Sequence, residues 1–370
     1  MSKEKWLYLG VALLCVVGLL AVGCAKEVAP TPTPTPTPKP TPTPTPTPTK
    51  PAKVFSWKLQ SAWPPPEKLL GYLGGYGQYC EFARRVKERT DGGVDIKVYV
   101  PNALFKVLEA PEALKKGAIE VLGSSGPYHG SVLPESYLEW GLPYGVNSRE
   151  QSNKLRFDTD YYKIYAKAFE EKHNAKVVAV DDVSSYCYMT TFPVNKLSDL
   201  KGKKIRAAGN TGKVVKLQGG VPVTLAGAEQ YTALQRGTVD GTVYPTYAGI
   251  TYKMFEVVKY MSWPPFYYTS CVNILVNMDA WNTLPKEYQD IMLEVGEEVG
   301  KYTYNTSADA LSKISREEGK KQFGTESIWL SDAELAKFKD AAIPLWDEFA
   351  LKSDYCAQMV KIAKEVAGVK

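Results

Sequence analysis

The sequence is short of the residues from which most hydrolytic and metal-dependent sites are built. Its 370 residues include two histidines, His129 and His173, so a Ser-His-Asp triad or a histidine-based metal centre has almost no material to draw on. His173 falls in the charged stretch Glu170-Glu171-Lys172-His173 and is expected to be solvated; His129 follows Gly126-Pro127-Tyr128 in a loop, where it either faces a ligand or packs. Of six cysteines, Cys80, Cys187, Cys271 and Cys356 stand far apart, without the local pairing of a zinc site. An oxidising compartment leaves disulfides open for them, against the simpler expectation of isolated buried thiols. There is no phosphate-loop glycine spacing and no Lys/Arg block in the folded part, and the net charge is only +5; nucleic acid is not an expected partner. Asp181 and Asp182 are adjacent, so on a strand they face opposite ways and are expected at a solvated edge or helix cap, not as an acid–base pair. No catalytic residue, cofactor or metal site is expected.

The N-terminus is richer. Lys3 and Lys5 precede an apolar run from Trp6 to Val22, which ends in Leu20-Ala21-Val22-Gly23-Cys24. Small residues before a cysteine in this position resemble the lipobox of bacterial lipoproteins. Residues 1–23 then form a signal peptide and Cys24 carries the lipid. A plain membrane helix is the alternative, since the run sits near the lower limit of spanning length. Either reading leaves the remainder outside the cytoplasm, anchored to the cell membrane. Residues 24–53 follow as a linker in which Pro-Thr dipeptides alternate from Pro30 to Thr49. Proline lacks the amide hydrogen and fixes φ, so the stretch is expected as a polyproline-II stalk, reaching on the order of 90 Å. Such a tether suits a protein that captures a ligand and a surface-anchored hydrolase equally.

Val54–Lys370 is long enough for two domains. Strand and helix alternate at its start: Phe55–Ala62 extended, ending in Trp63-Pro64-Pro65-Pro66; Gly77–Thr90 helical; Val94–Val100 extended; Glu109–Lys116 helical; Ala118–Leu122 extended. This predicts an α/β fold with a largely parallel sheet, whose ligand site lies beyond the carboxyl ends of its strands. Trp63, the Ser124–His129 loop with Tyr128, and the Trp140–Tyr144 segment converge there, Trp140 being equally suited to packing beneath the loop. One long helix is expected over Arg149–Glu171 and a strand over Ala175–Val180. A second unit follows, with strands at Tyr186–Thr191 and Ile205–Ala207. Arg206 is its sharpest polar feature, next to Gly209 and Asn210. A guanidinium fork can hold a carboxylate through two parallel hydrogen bonds; an exposed strand arginine or a structural ion pair are the plainer readings. The Val239–Pro245 strand opens into a loop with Tyr244 and Tyr247, and Trp263-Pro264-Pro265 forms another aromatic loop. Towards the C-terminus, Pro285–Lys313 is a long helical run and Ser331-Asp332-Ala333-Glu334 a capping box. Its helix is expected to kink or break near Pro344, and Ser353–Val366 forms the last helix. The 24 tyrosines and 8 tryptophans are compatible with an aromatic-lined cleft.

Four segments carry a family resemblance: Leu197-Ser198-Asp199-Leu200-Lys201-Gly202-Lys203-Lys204-Ile205-Arg206, Gly220-Val221-Pro222-Val223, Glu229 to Gly241, and Trp281-Asn282-Thr283-Leu284-Pro285 with Gln289. In order and spacing they resemble the dicarboxylate-binding type of solute-binding protein from tripartite ATP-independent periplasmic (TRAP) transporters. The resemblance implies a two-domain periplasmic-binding-protein fold with crossing strands, a long domain-spanning helix and an interdomain ligand cleft. Domain 1 is then 54–180, domain 2 is 181–270, and 271–370 supplies a crossing strand, the long helix and C-terminal helices packing on both. It further implies that Arg206 clamps a carboxylate, that the partners are TRAP membrane subunits moving solute by ion coupling, and that the binder is not an enzyme. Tyr186, Tyr244 and Gly227 stand where sialic-acid-type members have an arginine, an asparagine and an aromatic residue, so a sialic acid is not expected. Thr246, Tyr247 and Ala248 stand where the keto-acid branch has an acidic cluster, which argues against a bound metal. The expected ligand is a small organic carboxylate, a monocarboxylate with an apolar or aromatic body. Its expected wall is Arg206, Trp63, Tyr128, Tyr186, Asn210, Tyr244, Tyr247 and Trp263. A surface-anchored hydrolase or lyase acting on a small organic acid is the alternative, and a monomer is assumed.

Overall fold

Alternating burial sets the first sheet. In β1 (Phe55–Ser61) Phe55, Trp57 and Leu59 are buried and Ser56 is exposed. The chain passes through α1 (Tyr76–Arg89) to β2 (Val94–Tyr99), and through α2 (Ala110–Lys115) to β3 (Val121–Ser124). Both strands flank β1 in parallel. These elements come from a computed structural model that describes residues 53–65, 75–207, 209–225, 227–268, 270–306 and 308–369. The apolar run Trp6–Val22, Cys24 and the Pro-Thr segment, on which the anchor expectations rest, lie outside the described residues. Among those described, no helix is long and apolar enough to cross a membrane.

Where one long helix was expected there are two, α3 (Arg149–Phe157) and α4 (Tyr161–His173). Thr159 divides them: its hydroxyl donates to the Leu155 carbonyl at 2.7 Å and accepts from the Tyr161 amide at 3.3 Å. Those are backbone groups that a continuing helix would use itself. After β4 (Ala175–Asp182) the chain crosses to a second sheet. Its elements are β5 (Tyr186–Thr190), β6 (Lys204–Arg206), α5 (Asn210–Leu217), β7 (Val221–Val223), α6 (Gln230–Gln235), β8 (Gly241–Pro245), α7 (Ala248–Thr251) and β9 (Tyr260–Trp263). It then returns through β10 (Cys271–Asn277), α8 (Met278–Asn282), α9 (Lys286–Thr306) and α10 (Ala308–Glu318). β11 (Glu326–Trp329) rejoins the second sheet, followed by α11 (Asp332–Ala350) and α12 (Asp354–Ala367). The strand orders are β2-β1-β3-β10-β4 and β11-β9-β5-β8-β6-β7, a two-domain α/β fold.

Both sheets are mixed, not largely parallel. The chain leaves the first sheet at Asp182 and re-enters at Cys271, so the outgoing β4 and returning β10 lie side by side and antiparallel, with Cys271 opposite Asp182. β10 is buried along its whole length. Val272, Ile274 and Val276 face one apolar cluster and Leu275 the other, so one strand closes two cores.

α9 packs on β4 and α1, α11 on α5, and α12 on α3 and α4. The approach of α9 to β4 depends on Gly296: a Cβ there would lie 2.4 Å from the Val178 carbonyl oxygen. α11 begins at Ser331, whose hydroxyl accepts from the Glu334 amide at 3.3 Å. The expected box is only half made, because the Glu334 carboxylate instead accepts from the Leu197 amide at 3.2 Å, tying α11 to the second sheet's lobe. The same helix runs through Pro344 unbroken. Phe338 and Ala342 on one side of the proline and Leu345, Trp346 and Phe349 on the other are all buried, and Trp346 Nε1 also donates to the Pro143 carbonyl at 3.1 Å. Tertiary packing therefore offsets the lost hydrogen bond.

Candidate functional site

Trp63 is aimed by the way β1 ends. The Ser61 hydroxyl donates to the Trp63 carbonyl at 2.7 Å and accepts from its amide at 3.0 Å, closing a tight turn before Pro64. The indole then crosses to the other lobe, where its Nε1 donates to the Tyr244 hydroxyl at 3.2 Å. Between them lies a narrow crevice of about 30 Å³ walled by Trp63, Tyr128, Trp140, Tyr186, Tyr244 and Tyr247, with Arg206 in its lining. The rings pack on one another: Trp140 on Tyr186 at 4.8 Å between centroids, and Tyr186 against Tyr244 at 5.9 Å. Burial raises the Tyr244 phenol to about 12 and Tyr186 further still, so both are neutral hydrogen-bonding groups at physiological pH.

Arg206 is 1% exposed. Its Nε and Nη2 both donate to the Leu225 carbonyl, at 3.1 and 2.7 Å, and the guanidinium lies 5.2 Å from the centre of the Tyr244 ring. Nη1 is buried with no hydrogen-bond partner, and no carboxylate among the described residues forms an ion pair with the side chain. The plainer readings of a strand arginine, exposed or paired, do not describe it. A buried cation without an anion is costly, by several kcal/mol.

Behind the wall sits a residue the sequence did not single out. Glu139 is buried and accepts from the Gly126 amide at 2.7 Å, the Ser125 hydroxyl at 3.0 Å, Trp140 Nε1 at 3.1 Å, the Tyr165 hydroxyl at 2.9 Å and Asn273 Nδ2 at 2.6 Å. Burial outweighs these bonds and raises its carboxyl to about 7. Ser125 and Trp140 line the crevice, so Glu139 positions them. The one signal was a lone acid inside the otherwise apolar Leu138–Tyr144.

Six of the eight expected wall residues meet at the crevice: Arg206, Trp63, Tyr128, Tyr186, Tyr244 and Tyr247. Trp263 does not. It stacks on Trp329 at 5.7 Å, with the Arg316 guanidinium 4.4 Å from its ring, because the unforeseen edge strand β11 lies beside β9 and takes up its face. Asn210 also lies outside the lining; it opens α5, and its Nδ2 reaches the Tyr137 carbonyl at 3.5 Å. His129 does not face a ligand and His173 is not solvated. Both are fully buried, His129 Nδ1 lying 3.2 Å from His173 Nε2 and His129 Nε2 3.2 Å from the Ser124 hydroxyl. Burial lowers His173 to about 4 and His129 well below its ordinary value, so the pair is neutral. Asp181 and Asp182 are likewise buried, not at a solvated edge. Asp182 pairs with Arg149 and Arg156 at 3.3 and 3.1 Å, whereas neither Asp181 oxygen has a hydrogen-bond partner. The four cysteines are free thiols. Among the described residues no three His, Cys, Asp or Glu stand together as a metal cluster.

The description "Bacterial extracellular solute-binding protein, family 7" matches residues 76–353. Among curated relatives, a monocarboxylate 2-oxoacid-binding periplasmic protein of Nostoc sp. is 29% identical over 64% of this chain and 63% of its own length, so the aligned stretch spans under two thirds of that relative. The C4-dicarboxylate-binding periplasmic protein DctP of Rhodobacter capsulatus is 28% identical over 73% of this chain and 81% of its own. Among solved structures, a TRAP periplasmic solute binding protein from Colwellia psychrerythraea with bound calcium and pyruvate superposes with a TM-score of 0.75 at 21% identity, covering 85% of this chain and 95% of that one. The family match from α1 to the start of α12, on a two-domain α/β fold, shows that the chain belongs to family 7 of the bacterial extracellular solute-binding proteins, the DctP family of TRAP solute receptors.

Proposed function

We propose that this receptor encloses a small organic monocarboxylate in the crevice and delivers it to ion-coupled TRAP membrane subunits. One observation carries the reading: Arg206 is buried with Nη1 unpartnered and, among the described residues, no carboxylate paired with it. A ligand carboxylate supplies the missing charge, and exclusion of water strengthens the pairing. The name of the Nostoc relative and the pyruvate in the Colwellia structure support an acid of this class. The described lining offers phenols, indoles, hydroxyls and a thiol but no carboxylate, a poor donor set for a hard cation. Domain 1 over 54–180, domain 2 over 181–270 and the shared segment 271–370 belong to the same proposal, amended by β11, which adds a strand from that last segment to the second sheet. So does attachment of the chain to the outer face of a membrane through a lipid on Cys24, with the Pro-Thr stalk as spacer.

The test is thermal unfolding against a panel of organic acids. A ligand at 100 times its Kd stabilises the native state by about 2.7 kcal/mol. The expected result is a raised midpoint with a monocarboxylate that disappears in Arg206→Ala. Undiminished affinity in that variant overturns the clamp, and consumption of the acid during incubation revives the hydrolase or lyase alternative.

A further inference from the structure

We propose that the crevice has a second compartment that receives the body of the ligand, and that this body is a planar ring. Resting on the carboxylate reading for its inner end, the proposal names what lies at the other. A space of about 410 Å³ adjoins the Arg206 crevice, and the two share Trp63 and Tyr244 as walls. Pro64, Pro65, Tyr231 and Tyr252 complete the outer walls. Proline and tyrosine present flat apolar faces, which suit the faces of a ring.

Gly227 lines the outer space and makes room for the Tyr244 side chain that separates the two compartments. A Cβ at that position would lie 2.7 Å from the Tyr244 hydroxyl, so only glycine leaves the phenol where it meets Trp63.

Charge argues against a second carboxylate at the far end. Glu256 stands at the rim and accepts from the Tyr231 hydroxyl at 2.7 Å, and the one lysine of the rim, Lys253, is exposed. The outer compartment therefore has no counterpart to the buried guanidinium of the inner one.

The experiment is calorimetric titration of the purified protein with acetate, pyruvate, succinate, phenylacetate, phenylpropanoate, phenylbutanoate and the neutral alcohol phenylbutanol. Affinity is expected to step up once the linker lets the phenyl group pass the Trp63–Tyr244 pair. Tyr231→Ala is expected to lower the ratio of phenylbutanoate to pyruvate affinity by about 3- to 10-fold, and Pro65→Trp, which fills the outer space from an exposed position, to lower it further. Binding of pyruvate with rejection of every phenyl acid, or tighter binding of succinate than of any of them, overturns the second compartment while leaving the carboxylate reading intact. Equal binding of phenylbutanol and phenylbutanoate, insensitive to Arg206→Ala, keeps the compartment and overturns the carboxylate reading. Silence from all seven compounds overturns both.

Discussion

Arg206 holds two of its N–H groups on one backbone carbonyl and leaves Nη1 with no partner. The arrangement orients the guanidinium without neutralising it. Arg206→Lys, conservative in charge, is therefore expected to fail. An ammonium cannot bridge the Leu225 carbonyl and a carboxylate with the same planar fork, and the loss is about 1.5–3 kcal/mol of binding, roughly 10- to 150-fold in Kd. Arg206→Met carries the opposite expectation for the empty protein: it removes an uncompensated buried charge and raises the unliganded midpoint while abolishing acid binding. A lower unliganded midpoint in denaturation would refute that account. At this scale the site was partly legible. Arg206 stood out by its type and its place in the expected Ile205–Ala207 strand, and Trp63 by the prolines after it. His129 and His173 did not, because their contact joins residues 44 apart in the chain, and local composition says nothing of which distant element will cover a charged-looking stretch. Trp263 misled for a related reason: an aromatic beside two prolines signals a loop, but which side of β9 it faces depends on a strand whose partner residues lie 66 positions later.

Among the elements, α9 on β4 makes the sharpest demand. Gly296→Ala improves helix propensity by about 1 kcal/mol, yet its Cβ would meet the Val178 carbonyl at 2.4 Å, a backbone atom that cannot rotate aside. Net destabilisation of about 1–3 kcal/mol is expected in urea unfolding. An unchanged or improved midpoint would mean that the helix can slide on the strand. Most elements were visible from period alone, since Phe55–Ser61 and Val94–Tyr99 alternate and α1 carries Phe82, Ala83 and Val86 on one side. What could not be seen was pairing. β11 pairs with β9 across a long stretch of intervening chain, and the direction of β10 follows from where the chain crosses, which no local pattern encodes. Pro344 misled because propensity is a local quantity and the buried Trp346 is a tertiary one.

For the whole molecule the crossing between lobes is the focus, and Asp181 lies one residue before it, buried with both oxygens unpartnered. Burial lifts its carboxyl to about 7 from 3.8. A carboxyl whose folded-state value is raised favours folding in its protonated form. Its stabilising contribution is thus complete below about pH 4 and is lost as pH rises towards 7. Asp181→Asn should flatten that part of the stability profile, which midpoints measured from pH 4 to 8 will show; an unaltered slope would clear Asp181 of the effect. The bond from Trp63 Nε1 to the Tyr244 hydroxyl spans the same divide. Tyr244→Phe, which removes the acceptor at a cost of about 1 kcal/mol, is expected to speed ligand release roughly 5-fold in stopped flow. The unpaired Nη1 has one more consequence. Shutting an unloaded receptor strands a positive charge in a water-poor space, whereas shutting a loaded one does not. On the proposed reading, Arg206 therefore acts as a guard against closing on nothing as much as a grip on the cargo.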